Sequence, residues 1–296
     1  MNKLKTIKFL VLFFLVFLIS GCAMKWSPDW QEQVEDKPTD ISARLSAEAE
    51  KNIEAVYDEN SLRTSIESFE KVIEHNPGDY HALAMLSTQY ILLGTAYTEN
   101  RSEKSKHFLQ AMVYSERAMY TNDGFRILIK QGKKPWEAIA PLTAREAEAM
   151  FFWVTALQYE FKEGMTLPQK IANINWLQRA LLFLDHIEKV APEFGGGGVE
   201  FAKVICYYAL PGFKGGDKKK GDEYMLKAVQ RGKKRLLPRW ARGKYYYPIK
   251  GEKDKASEDL QWVASQDSSQ YADIYPWRIH FQDDARQLLE RKYNEM

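Results

Sequence analysis

The 296 residues contain only two cysteines and five histidines. The histidines (His75, His81, His107, His186 and His280) are scattered along the chain. No His-Glu-x-x-His and no paired-cysteine spacing occurs, so the common sequence signatures of a metal site are missing. His75 and His81 are near neighbours, but Asn76-Pro77-Gly78 breaks the chain between them. There is no Gly-x-Ser-x-Gly elbow. The run Gly195 to Gly198 is neither preceded by a clear strand nor followed by Lys-Ser/Thr, which excludes a phosphate loop and leaves a turn between helices. Alternating Val/Ile/Thr is nearly absent, which argues against a sheet. No basic stripe with interleaved aromatics is present, so no nucleic-acid partner is expected. Glu146 and Glu148 are two apart and point to different helix faces. Glu160 and Glu163 can share a face but sit just before Gly164 with Lys162 between them, the pattern of a solvated helix end. The chain is expected to bind rather than catalyse, and to carry no cofactor.

Long apolar runs are also missing, with one exception. Phe9 to Ile19 is unbroken, but it is shorter than the ~20 residues needed to cross a bilayer and fits the ~7–15 of a secretory signal. Lys3, Lys5 and Lys8 precede it as a positive n-region. Ile19-Ser20-Gly21-Cys22 then resembles the lipobox of bacterial lipoproteins. The resemblance implies cleavage after residue 21 and a lipid on Cys22. Burial of acyl chains contributes ~0.8 kcal/mol per CH₂, so two or three chains make a permanent membrane attachment. Ala23, where an aspartate would retain such a protein at the inner membrane of enteric bacteria, implies a periplasm-facing protein of the outer membrane. Loss of residues 1–21 removes three lysines from the 42 basic residues, leaving 39 against 40 acidic ones. The remaining chain is near neutral, so the basic isoelectric point of the full sequence says nothing about partners. With Cys22 lipidated, only Cys206 is left, in the apolar run Val204 to Tyr208, where it reads as a small core residue.

Residues 22–45 carry two prolines and no sustained period, and are expected to form a tether. From about Ser46 to residue 296 apolar residues recur at three and four, the helical period. Breakers separate the runs at Asn76-Pro77-Gly78, Asn122-Asp123-Gly124, Pro192 with the glycine run, Pro211-Gly212 and Gly215-Gly216-Asp217. A small residue, an apolar one four later and another three beyond that mark the second helix of a tetratricopeptide unit. Ser65/Phe69/Val72, Ala180/Leu184/Ile187, Gly221/Met225/Ala228 and Ala256/Leu260/Val263 keep that register. Ala111/Ser115/Ala118 keep the spacing with a polar residue in the middle. Pro77 and Pro192 stop two of these helices. The first helices are expected at Leu83 to Gly94, Ala147 to Tyr159, Val199 to Leu210 and Leu236 to Tyr246. The expected fold is all-α: a degenerate tetratricopeptide-like helical-hairpin solenoid of about five units, preceded by a lipoprotein signal peptide.

At this level the sequence resembles a known family, the T component associated with TRAP transporters (TatT-like periplasmic lipoproteins). The resemblance is carried by Ala147 to Ala156, by Ala191-Pro192-Glu193-Phe194 with its glycines, and above all by Ala209-Leu210-Pro211-Gly212 through Gly215-Gly216-Asp217 to Tyr224 and Ala228. Gly243-Lys244-Tyr245-Tyr246 fits the next unit, so the likeness spans roughly residues 60–290 with gaps. Arg239-Trp240-Ala241-Arg242 is more basic than the family pattern, and the quadruple glycine departs from it. The resemblance implies a partner, the periplasmic TRAP-type solute-binding protein, and a homo-oligomer, a trimer in the family, with a pocket in each subunit. The alternative is a generic scaffold lipoprotein for envelope-assembly or peptidoglycan-processing proteins.

The aromatics supply the candidate site. In hairpin solenoids the first helices line the concave surface, where rigid rings give contact area at low entropy cost. Tyr90, Trp153 and Tyr207 are the expected pocket-lining residues. Gly215 and Gly216 read as a turn, with Asp217 as the N-cap of the helix that follows.

Overall fold

The computed structural model describes residues 23–26 and 36–294, so the expected signal peptide (1–21) and Cys22 lie outside the described residues. Among the described residues every regular element is helical and there is no strand. The first four helices are α1 (Asp40–Ile53), α2 (Glu59–His75), α3 (Tyr80–Ala96) and α4 (Arg101–Tyr120). Each begins where the sequence offers a cap: Thr39, Asp58, Asp79 and Asn100 accept from backbone N–H groups of the first turn. The short helix α5 (Asp123–Lys130), capped by Asn122, opens a long connection to α6 (Ala147–Tyr159). There follow α7 (Leu167–Ala172), α8 (Asn175–Val190), α9 (Gly198–Ala209), α10 (Lys218–Arg231) and α11 (Leu237–Ala241). The chain ends with α12 (Tyr247–Lys250), α13 (Lys253–Ser265) and α14 (Tyr275–Asn294).

Helices pack in consecutive pairs: α1 on α2, α3 on α4, α6 on α8, α9 on α10, and the turn after α11 on α13. In every pair the second helix holds one of the triplets in the 4+3 register, with polar Ser115 in the middle of the one on α4, and every triplet residue is buried. The small residue decides how closely the partner helix approaches. A Cβ on Gly221 would lie 2.6 Å from the Tyr208 ring, so α9 and α10 meet at a distance only glycine permits. Pairs join through α2 on α3, α4 on α6 and α9 on α8, which makes one continuous apolar core.

The last helix leaves this scheme. α14 packs on α13 and reaches back to α3, where the Trp277 indole Nε1–H donates to Thr88 Oγ1 at 2.8 Å. The first helical pairs and the last helix therefore touch and border a common space.

Of the expected tether, residues 23–26 and 36–45 are described, and they contact the rest of the fold. α1 starts at Asp40, ahead of the expected boundary near Ser46, because Thr39 and Ser42 form a reciprocal capping box. Upstream, the Met24 N–H donates to Asn173 Oδ1 (2.6 Å) and the Trp26 indole to Glu116 Oε2 (2.8 Å). Lys134 Nζ lies 4.6 Å from the centre of the Trp26 ring. Asn76, read as a breaker, also holds this segment: it accepts from the Lys37 N–H and donates to Asp36.

Cys206 is fully buried on α9, and burial pushes its thiol up to about 12. Since the thiolate is the reactive form, a thiol reagent at pH 8 is expected to leave Cys206 unmodified in the folded protein and to label it only at the rate of unfolding. Peptide mapping after alkylation, with and without denaturant, checks this. No helix among the described residues is long and apolar enough to cross a membrane.

Candidate ligand-binding site

The space bordered by the helical pairs and α14 is a cavity of about 680 Å³. That is the size of a small-molecule site, ~300–1,000 Å³. One face of α6 supplies Phe151, Phe152, Thr155 and Tyr159; α9 supplies Phe201, Ile205 and Tyr208. Leu237 and Trp240 come from α11, Trp277 and Phe281 from α14, and Ile274 from the residue just before it. The spacings i, i+4, i+7 on α9 and i, i+4 on α14 are those of a single helix face.

Two irregular turns shape the wall. Glu160–Gly164 continues α6, and Arg242–Tyr246 continues α11, each as a π-helical turn. Such turns insert one residue into the helical ladder and re-aim the side chains beyond it. They bring Phe161 and Lys162 from one turn and Tyr245 from the other into the cavity wall, with Lys162 Nζ 3.7 Å from the centre of the Tyr245 ring. Gly164 makes the first turn possible, since a Cβ there would lie 2.0 Å from Glu160 Oε2. The Glu160 carboxyl fills that place, accepts from the Ser105 hydroxyl at 2.9 Å, and is pushed up by burial. Glu163 binds Lys104 at 2.5 Å. The expected solvated helix end is thus a packed, hydrogen-bonded turn.

Most of the polar groups at the cavity are already occupied. Gln158 donates to the Ala202 carbonyl (2.7 Å) and to Cys206 Sγ (3.3 Å). Thr155 donates to the Phe151 carbonyl (2.9 Å), and Asp273 accepts the Leu236 N–H at 2.7 Å. Burial raises the Asp273 carboxyl. The charged lining is otherwise cationic: Lys162, Lys170, Lys218 and Arg235.

Behind Lys162 lies a second, polar chamber of about 580 Å³, bounded by Lys104, Glu163, Lys244, His280 and Asp284 among others. Lys162 lines both spaces. Burial holds His280 down to about 4, so its ring is neutral at pH 7. Among the described residues no group of three or more His, Cys, Asp or Glu side chains is arranged to hold a metal ion.

The three aromatics expected to line a pocket do not line this cavity. Trp153 is fully buried in the core, where its Nε1–H donates to Glu116 Oε1 at 2.9 Å and its ring packs on Phe183. It stands two residues from Phe151 and Thr155, which turns it to the opposite side of α6. Tyr90 faces α2 and α4, donating to Glu70 (2.8 Å) beside Tyr114. Tyr207 stacks on Tyr224 of α10, while its neighbour Tyr208 points inward. The first helices do carry the lining, through the faces not chosen. Lys162 and the α14 aromatics went unread: a π turn has no composition signature, and Trp277 and Phe281 sit in an otherwise polar helix.

At the turn before α10, Gly215 has φ +94°, and a Cβ on Gly216 would lie 1.8 Å from the Leu210 carbonyl oxygen. Asp217 accepts from the Lys220 N–H at 3.1 Å as the N-cap of α10. This turn lies outside the cavity lining. Cys22, the expected lipidation site, lies outside the described residues.

No protein-family model matches the chain, and no curated protein matches it.

Proposed function

We propose that this chain is a lipid-anchored envelope protein that holds an apolar ligand in its central cavity and works with an extracytoplasmic solute-binding protein of the TRAP type. The observation that carries the reading is the aromatic-walled cavity of about 680 Å³. Water gains little in such a space, and an apolar ligand gains the transfer free energy of the surface it buries, ~25 cal/mol per Å². The helical pairs are read as degenerate tetratricopeptide-like units, supported by the buried triplet register in their second helices. The resemblance to TatT-like lipoproteins supplies the partner, the periplasmic location at the outer membrane and a homo-oligomer, trimeric in that family.

The docked Ala23–Trp26 segment supports an anchor close to the fold. A residue spans at most ~3.6 Å, so a lipid on Cys22 is tied within two residues of the point where Met24 meets Asn173. The generic scaffold reading needs an open groove for a peptide. Here α14 occupies the inner face through Trp277 and Phe281, which favours a small ligand instead.

The experiment is capture of partners by the lipidated full-length protein from envelope extract, with mass spectrometry of co-purifying proteins and of organic-solvent extracts. A TRAP-type solute-binding protein together with a stoichiometric apolar compound supports the proposal. Cell-wall enzymes as the captured proteins, with no bound compound, replace it with the scaffold reading.

A further inference from the structure

We infer that the cavity takes an amphiphile with a long apolar chain and an acidic headgroup, and that the headgroup sits against Lys162 at the junction of the apolar cavity and the polar chamber. This rests on the proposed ligand-binding reading and specifies its chemistry. The wall is aromatic and aliphatic, but its charged members are four cations against the single carboxylate of Asp273. Asp273 accepts the Leu236 N–H and pairs with Arg235 at 3.9 Å, which leaves Lys162, Lys170 and Lys218 with no carboxylate among the lining residues. A cationic ligand would meet repulsion there, and a neutral one would leave the lysines unused.

Lys162 is the cation placed to bind a headgroup. It belongs to both spaces, so a chain in the apolar cavity can end beside it with its head in the polar chamber. Its carboxylate neighbour is Glu163 Oε1 at 3.7 Å, and the other oxygen of Glu163 is already held by Lys104 at 2.5 Å. Lys244 is paired with Asp284 at 2.8 Å. The chamber as a whole balances Lys104, Lys162, Lys244 and Arg291 against Glu99, Glu163, Asp283 and Asp284, but beside the apolar cavity Glu163 is shared by the two ammonium groups of Lys104 and Lys162. The Lys162 side chain is 48% exposed, so its ammonium is only partly desolvated, and an incoming anion gains a charge-assisted hydrogen bond there. The Tyr245 and Tyr159 hydroxyls meet each other at the same wall, beside Lys162.

The groups facing Lys162 are Glu163 on its own turn, Lys244 and Tyr245 from the turn after α11, Asp284 on α14 and Lys104 on α4. Burial, the largest influence, brings the Lys162 ammonium down to about 8. The lysine is therefore charged at pH 7 and loses its charge as pH rises, which supplies a test that needs no mutation.

The test is displacement of the fluorescent fatty acid cis-parinarate from the full chain by oleate, oleyl alcohol and oleoyl lysophosphatidate. Oleate should displace about tenfold or more better than the alcohol of equal chain length at pH 7, the worth of one charge-assisted hydrogen bond. That preference should shrink as pH rises to about 10, where the lysine is neutral. Lys162→Met should remove most of the preference and leave alcohol affinity unchanged, with Lys162→Arg retaining it. If Lys162→Met does not fold, the wild-type pH series decides. Tighter displacement by lysophosphatidate than by oleate identifies a phosphate head, and the reverse a carboxylate; either supports an acidic amphiphile. Equal affinity for acid and alcohol at pH 7, or a preference that Lys162→Met and pH leave intact, overturns the inference while leaving apolar binding standing. Absence of any parinarate binding removes the ligand-binding reading with it.

Discussion

Gly197→Ala is expected to lower the thermal midpoint by roughly 10 °C, while Gly212→Ala leaves it unchanged and Gly215→Ala costs only a few degrees. Gly197 has φ +90°, and a Cβ there would lie 2.2 Å from the Ala228 carbonyl oxygen and 3.0 Å from Pro238. Two penalties coincide: ~1–3 kcal/mol for a left-handed non-glycine residue, and ~1–3 kcal/mol for forcing apart packed backbone. At ~2–4 °C per kcal/mol for a chain of this size, the sum is the stated shift. Gly215 shares the positive φ (+94°) but has nothing within 4 Å of its Cβ position, and Gly212 has open space without the strain. The three substitutions separate conformation from contact. Equal melting shifts for Gly197→Ala and Gly215→Ala, measured by circular dichroism, would show that the α9–α10 approach is not as tight as described.

Trp153→Ala should be the second severe lesion, about 4–6 kcal/mol, with ligand affinity of the remaining folded protein unchanged. The indole is fully buried, and truncating such a side chain costs ~3–5 kcal/mol. Its loss also strips Glu116 Oε1 of a donor, adding ~1 kcal/mol or more, while Trp26 still donates to Oε2. Ile205→Ala is the contrasting change: a half-buried residue whose side chain faces the cavity. It should cost less stability and weaken binding. Denaturant titration and probe binding on both variants check the pair. Weakened binding in folded Trp153→Ala, at undiminished stability, would return Trp153 to the pocket.

The contrast between Trp153 and Ile205 also marks how far the sequence could be read. Helices and their breaks were legible because each has a local cause: Asp217 is a good cap wherever it falls, and Pro77 stops a helix by losing a donor. The buried faces of the second helices were legible too, because their outer faces are polar and the triplets stand out. α6 gives no such contrast. Its residues Ala147 to Leu157 are mostly apolar on every side, since one side meets the core and the other the cavity. Spacing alone cannot say which side is which, so Trp153 and Phe152 exchange roles. The return of α14 to α3 depends on a contact between Trp277 and Thr88, far apart in the chain. No local pattern encodes that closure. Likewise, Glu160 and Glu163 differ from a solvated pair only through the π turn and Gly164, which tertiary packing imposes.

The most direct test of a ligand-binding interior is to fill it. Thr155 is half-buried on the cavity face of α6, and Thr155→Trp places an indole in the space without touching the helix-pair core. An apolar naphthylamine probe titrated into the wild-type full chain should brighten saturably at one site per chain. Thr155→Trp should abolish that signal while its thermal midpoint stays within a few degrees of wild type. Identical titrations for the two proteins, or no saturable signal in the wild type, would contradict the account.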